Sequence, residues 1–213
     1  MKIYVINSDN EKYRLELLIA LADKLKDIGS VLIFQSVRTN ENLEEKLSKD
    51  GIITYDIADY FLEEASLDRV IINQEKNLDF AIAPYLKNKI EIKKSDIERL
   101  LKGIDYDYLI IDSLDLSLID EKESIYIVDQ NNMPESIAED CFYIENVKDG
   151  FDDRFYKDSI EKLGKNYLGY KKREESLDKI VDTIINKTYK KIDKLSFFEK
   201  MKMKFKKWVN IYL

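Results

Sequence analysis

The chain has 213 residues, a formal charge of −7, 45% hydrophobic and 36% charged residues, no histidine and one cysteine. This length and apolar content suit one folded domain with room for a tail, and only two prolines and six glycines exclude a disordered or linker-rich chain. The missing histidines and lone Cys141 argue against a zinc site or an internal disulfide, the acidic balance argues against a general nucleic-acid binder, and a reducing cytoplasm is the expected compartment.

In chain order, residues 3–6 (Ile-Tyr-Val-Ile) read as a strand that runs into Asn7, Ser8 and Asp9, a core strand and not a signal peptide. Leu15, Leu18, Ile19, Ala22, Leu25 and Ile28 then recur at helical spacing, and Gly29 is a natural stop. Residues 31–34 are a second strand. Residues 42–47 and 56–62 are short helices, and 67–71 a turn or short helix. Residues 78–83 form a strand closed by Pro84, residues 97–101 a helix, and residues 108–112 (Tyr-Leu-Ile-Ile-Asp) the strongest buried strand. Strands at 124–128 and 141–144 follow, and residues 155–185 read as mainly helical. No stretch approaches 18 apolar residues, so no membrane span is expected. There is no internal repeat. Short continuous apolar strands between helices predict an α/β fold, a mostly parallel sheet with helices on both faces.

The C-terminal segment carries the clearest local pattern. From residue 187 onward there are nine lysines against Asp193 and Glu199, a side-chain charge of +7 that leaves −14 for the first 186 residues. Ser196 and Glu199 have the S-x-x-E spacing of a capping box. Phe198, Met201, Phe205, Trp208 and Tyr212 recur at steps of three and four, on one helix face. Lys200, Lys204 and Lys207 fall opposite, with Lys202 and Lys206 on the flanks. A basic amphipathic helix with Phe and Trp on its apolar face suits an anionic membrane surface. The plainer reading is a terminal helix packed on its own domain, and a protein groove is a third. The expected organisation is therefore an α/β domain over 1–190 and an amphipathic helix over 195–213, with Phe198, Met201, Lys202, Phe205, Lys206, Trp208 and Tyr212 as membrane-binding candidates.

The order of these elements resembles the MinD/ParA group of deviant P-loop ATPases. Residues 17–25 (Leu-Leu-Ile-Ala-Leu-Ala-Asp-Lys-Leu) are similar to the family's first helix, and 31–34 to its second strand. Residues 55–61, 67–71 and 77–84 follow the family's order, and 106–113 (Tyr-Asp-Tyr-Leu-Ile-Ile-Asp-Ser) resemble its Walker B strand. The resemblance covers residues 1 to about 140 and implies a P-loop NTPase-like fold. The family's glycine- and lysine-rich phosphate loop is missing. The stretch 7–12 has no glycine and carries Asp9 and Glu11, whose carboxylates repel polyphosphate. Lys12 is either a remnant phosphate lysine or, far more ordinarily, a solvated one. Asp112 stands at the magnesium-side position of Walker B and reads as vestigial, bonded near the strand end. No catalytic residue, cofactor or metal is therefore assigned. The resemblance and the tail imply a non-hydrolysing scaffold or positioning protein, cytoplasmic and peripheral on the inner membrane. Its expected partners are an anionic membrane surface and a protein, the latter either an active MinD/ParA-like relative or a second copy in a homodimer. The alternatives are an active ATPase with an unusual phosphate loop, and a soluble adaptor whose tail docks on protein.

Overall fold

The computed structural model describes residues 1–49, 53–86, 88–196, 198, 199 and 201. Its centre is an eight-stranded sheet of β1 (Lys2–Ser8), β2 (Val31–Gln35), β3 (Ile72–Glu75), β4 (Leu78–Ala81), β5 (Tyr108–Asp112), β6 (Glu123–Asp129), β7 (Cys141–Val147) and β8 (Tyr167–Lys172). The order across the sheet is β3-β4-β2-β5-β1-β6-β7-β8. Every neighbouring pair is parallel except the β3–β4 hairpin at one edge. The helices are α1 (Glu11–Leu25), α2 (Leu43–Lys46), α3 (Ile57–Phe61), α4 (Leu67–Val70), α5 (Lys94–Gly103), α6 (Lys157–Leu163) and α7 (Asp178–Ile185).

The alternation of the strands divides the core. Tyr4, Ile6, Val31, Ile33 and Ile110 face one side, where α1 lays Leu15, Leu18, Leu21, Ala22 and Leu25 on them and α7 adds Ile180, Val181 and Ile184. Ile3, Val5, Leu32, Phe34, Leu109 and Ile111 face the other, beneath Ile57 and Phe61 of α3 and Ile97 and Leu100 of α5. A third cluster packs Phe142, Ile144 and Tyr167 against Ile160 and Leu163 of α6. Both faces are covered, which is why the central strands are continuous apolar runs. α1 begins where the Asn10 side chain accepts from the Tyr13 amide. It ends where the Gly29 amide bonds back to the Leu25 carbonyl.

Two stretches differ from the sequence reading. Residues 72–75 form the edge strand β3, joined to β4 through Asn77, whose φ of 64° suits a tight turn. Residues 155–185 are not mainly helical: β8 lies between α6 and α7 and completes the sheet. Gly169 sits inside β8 at a φ of 124°, a conformation that disguises the strand in sequence.

Candidate functional site

The chain crosses from β1 outward to β2 and β4, then returns through β5 to build β6, β7 and β8 on the opposite side of β1. The strand order thus reverses around β1, and the carboxyl ends of β1, β2 and β5 converge there. In open α/β sheets such a reversal is where ligands bind.

What stands there is a buried polar network. Arg14 lies in the first turns of α1, one turn before Leu18 and on the same face, and it is 4% exposed. Its Nε donates to a carboxylate oxygen of Asp112, at the end of β5, and its Nη1 donates to the Ser8 carbonyl at 3.1 Å. Asp112 is fully buried, and its other oxygen accepts from Nε2 of Gln35, the last residue of β2, at 2.9 Å. Gln35 in turn accepts from the Leu43 amide at 3.4 Å through Oε1. Ser36 donates its hydroxyl to the Asp112 carbonyl at 3.1 Å, and the Ser113 amide reaches the Ile6 carbonyl at 3.0 Å. Asp112 thus joins the three elements: Arg14 ties β5 to the β1–α1 turn, and Gln35 ties it to β2. Burial, the largest influence, pushes the Asp112 carboxyl above its usual range, while Arg14 and Gln35 oppose that rise. Arg14 Nη2 is buried without a hydrogen-bond partner among the described residues.

The turn after β1 is equally self-contained. The Ser8 hydroxyl donates to the Ile127 carbonyl at 3.0 Å and accepts from the Asn10 amide at 3.0 Å. Glu11 opens α1 and accepts from the Asn40 amide at 2.9 Å. Lys12 is exposed and lies 3.8 Å from Glu16, an ordinary surface pair. The acidic residues before and after β5 are spent locally. Asp107 holds Ser30, Asp115 caps the turn at Ser117, and Asp120 pairs with Lys94. Among the described residues no group of acidic, cysteine or histidine side chains is arranged to hold a metal.

Of the tail candidates, Phe198 and Met201 are described and exposed, at 79% and 47%. Lys202, Phe205, Lys206, Trp208 and Tyr212 lie outside the described residues. The capping box is formed: the Ser196 amide donates to Glu199 at 2.9 Å and the Glu199 amide to the Ser196 hydroxyl at 3.3 Å. Glu199 also accepts from Arg154 of the body at 2.7 Å. Its carboxyl is lowered to about 2, first by the Ser196 bonds and then by Arg154. No described helix is long and apolar enough to cross a membrane.

The sequence singled out Asp112 but not the two side chains that hold it. Arg14 was legible in principle, since residues 14, 18, 21 and 25 share one helical stripe and a charge on that stripe needs a buried partner.

This mostly parallel sheet with helices on both faces has the fold of the MinD/ParA P-loop ATPases. No protein-family model matches the sequence, and no curated protein matches it. Among solved structures, a plasmid partition protein from Borrelia burgdorferi matches with a TM-score of 0.63 at 22% identity, over 87% of this chain and 98% of its own. The cell division ATPase MinD of Pyrococcus furiosus matches with a TM-score of 0.62 at 14% identity, over 88% and 99%. The MinC:MinD cell division complex of Aquifex aeolicus matches with a TM-score of 0.59 at 16% identity, over 85% of each chain. At these identities the likeness is one of fold.

Proposed function

We propose that this chain is a non-hydrolysing MinD/ParA-like scaffold, working as a positioning protein at the cytoplasmic face of the membrane. One observation carries the reading. In a P-loop ATPase the Walker B aspartate faces magnesium beside the phosphate loop. Here Asp112 is bonded to Arg14, a cation supplied by the chain itself, and Gln35 takes its second oxygen. A guanidinium in that place substitutes an internal charge for a metal-bound nucleotide. The glycine-free β1–α1 turn, with Asp9 and Glu11, adds repulsion toward polyphosphate.

Such a protein acts by presenting surfaces. The basic amphipathic pattern over 195–213 is the proposed attachment to anionic lipid, through Phe198, Met201, Phe205, Trp208 and Tyr212 with Lys202 and Lys206 at the flanks. The α/β body over 1–190 is the proposed platform for a protein partner. A fold neighbour solved in a MinC:MinD complex gives a precedent for such a partner. An active relative or a second copy of this chain fits that role. The processes that suit it are division-site selection, polar localisation, or assembly of pilus, flagellar or secretion machinery.

A second reading has its own observation. The Arg154–Glu199 bond ties the first turn of the tail to the body, as expected of a soluble adaptor whose tail docks on protein. Two assays separate the readings. Phosphate release in the presence of ATP and magnesium stays at background for a scaffold, and protein-dependent turnover overturns that assignment. Co-sedimentation with phosphatidylglycerol vesicles is lost on Phe205→Asp with Trp208→Asp if the tail is the anchor. Unchanged co-sedimentation favours the adaptor.

A further inference from the structure

A groove of about 520 Å3 opens between α6, the start of β8 and residues 190–194. It lies well away from the Arg14–Asp112 network, on the far side of β6 and β7. Lys157, Lys165, Lys190, Lys191 and Lys194 line it, against only Glu161 and Asp193. Two of the five are committed. Lys157 donates to the Ile192 carbonyl at 2.6 Å and lies 3.2 Å from Glu161, and Lys190 pairs with Asp153 at 2.6 Å. Lys165, Lys191 and Lys194 have no ion pair or side-chain hydrogen bond among the described residues.

This concentration runs against the rest of the molecule. The first 186 residues carry −14, and several of their lysines meet acids, as at Lys24–Asp182, Lys26–Glu75 and Lys94–Asp120, while others, such as Lys76, Lys102 and Lys148, stand singly on the surface without an ion pair among the described residues. What sets this groove apart is that three such lysines, Lys165, Lys191 and Lys194, line one concavity. Like charges around one concavity repel one another, and an anion seated among them removes that repulsion. Lysine ammoniums are compact point charges with rotatable donors, suited to the tetrahedral oxygens of phosphate, and no arginine lines the groove to offer the planar fork that matches a carboxylate. Tyr167 and Ile192 add an apolar wall. The bond from Lys157 to the Ile192 carbonyl fixes residues 190–194 to α6.

We infer that this groove is a binding site for a phosphate-bearing anion, either the head group of an anionic phospholipid or a soluble phosphoester. The site stands independently of the tail: it uses residues that precede 195, and it would bind phosphate whether or not residues 195–213 bind lipid.

The test uses the full chain. Inorganic pyrophosphate is titrated into nitrogen-15-labelled protein, and the amides of Gly164, Lys165 and Lys191 are followed by NMR. Saturable shifts at these amides are expected, unchanged in the Phe205→Asp/Trp208→Asp variant. Charge reversal at Lys165, Lys191 and Lys194 to Glu lowers the affinity roughly tenfold or more. Should that variant fail to fold, as judged by circular dichroism, the milder Lys→Gln triple replaces it with the same direction of effect. Co-sedimentation with phosphatidylglycerol and phosphatidylcholine vesicles then separates the sources. Loss of phosphatidylglycerol binding in the triple variant with the tail intact points to the lipid head group. Unchanged vesicle binding alongside lost pyrophosphate binding points to a soluble phosphoester. Absence of saturable shifts at the groove in the wild type, or unaltered pyrophosphate affinity in the triple variant, overturns the inference.

Discussion

Replacing Arg14 by Met tests the buried network most sharply. Met keeps much of the length and apolar bulk of the side chain and removes only its charge and donors. Asp112 is then left fully buried with Gln35 as its remaining side-chain donor, and the Ser8 carbonyl loses its 3.1 Å bond. Removing one partner of a buried pair costs about 3–5 kcal/mol, chiefly because the surviving charge is stranded. That is a large share of the roughly 5–15 kcal/mol by which domains of this kind are stable. Asp112→Asn alone strands the guanidinium and is costly too. The double variant strands no charge, so it should be more stable than the sum of the singles implies, with a coupling of about 2 kcal/mol. The pH dependence has a definite sign. Burial already raises the Asp112 carboxyl, and without Arg14 it rises further. A folded value above the unfolded one means that the folded variant binds the proton more tightly. Its deficit is therefore relieved in acid and grows as pH rises through the carboxylate range, by at most about 1.4 kcal/mol per unit. Urea unfolding followed by circular dichroism, in mildly acidic and in neutral buffer, measures both effects. A deficit below about 1 kcal/mol, equal in both buffers and additive with Asp112→Asn, would refute the network as the organiser of this site.

Four further expectations follow from local geometry. Burial pushes the Cys141 thiol up to about 12 and leaves it 8% exposed, so Ellman's reagent in mildly alkaline buffer should react only after denaturant is added; prompt reaction in the native protein contradicts this placement. Gly29→Ala brings a Cβ to 2.8 Å from Asp107 Oδ2 and 2.9 Å from the Tyr108 ring, and should lower stability by about 1–3 kcal/mol in a thermal melt; an unchanged midpoint would show that this turn yields freely. Lys89 bridges Asp56, 1% exposed, and Asp59, and its own side chain is 21% exposed. Lys89→Met should cost about 1–3 kcal/mol in urea, less than a fully buried pair because water reaches the lysine, and no change would remove the bridge from the account. Glu199 is lowered to about 2, so its contacts hold above the ordinary carboxylate range and fade as pH falls toward that value. In an NMR titration Arg154→Ala should move the Glu199 midpoint upward, and an unmoved midpoint means that the tail does not touch the body there.

The legibility of the chain follows its burial. Residues 31–35 and 108–112 are covered on both faces, so they are unbroken apolar runs and no neighbour obscures them. The edge strands were hidden for the opposite reason. Ile72-Asn73-Gln74-Glu75 has one partner strand and alternating exposure, and its polar composition resembles a loop. Tyr167-Leu168-Gly169-Tyr170-Lys171-Lys172 carries a glycine and two lysines, and Lys171 is buried only because Glu145 on β7 meets it at 2.9 Å, a partner 26 residues away that no local pattern announces. The candidate site was half legible. Asp112 stood out at the end of its strand, whereas Gln35 and Arg14 take meaning only once β2 and β5 are neighbours and α1 is laid across them. Ser196 and Glu199 were readable because a capping box is contained within four residues.

Asp112 is bonded to the Arg14 guanidinium, which we propose stands in place of a metal-bound nucleotide. Calorimetric titration of the full chain with ATP and ADP, each with and without magnesium, tests it most directly. No saturable, magnesium-dependent heat is expected with either nucleotide. Tight binding of ATP that needs magnesium and disappears with Asp112→Asn would contradict it.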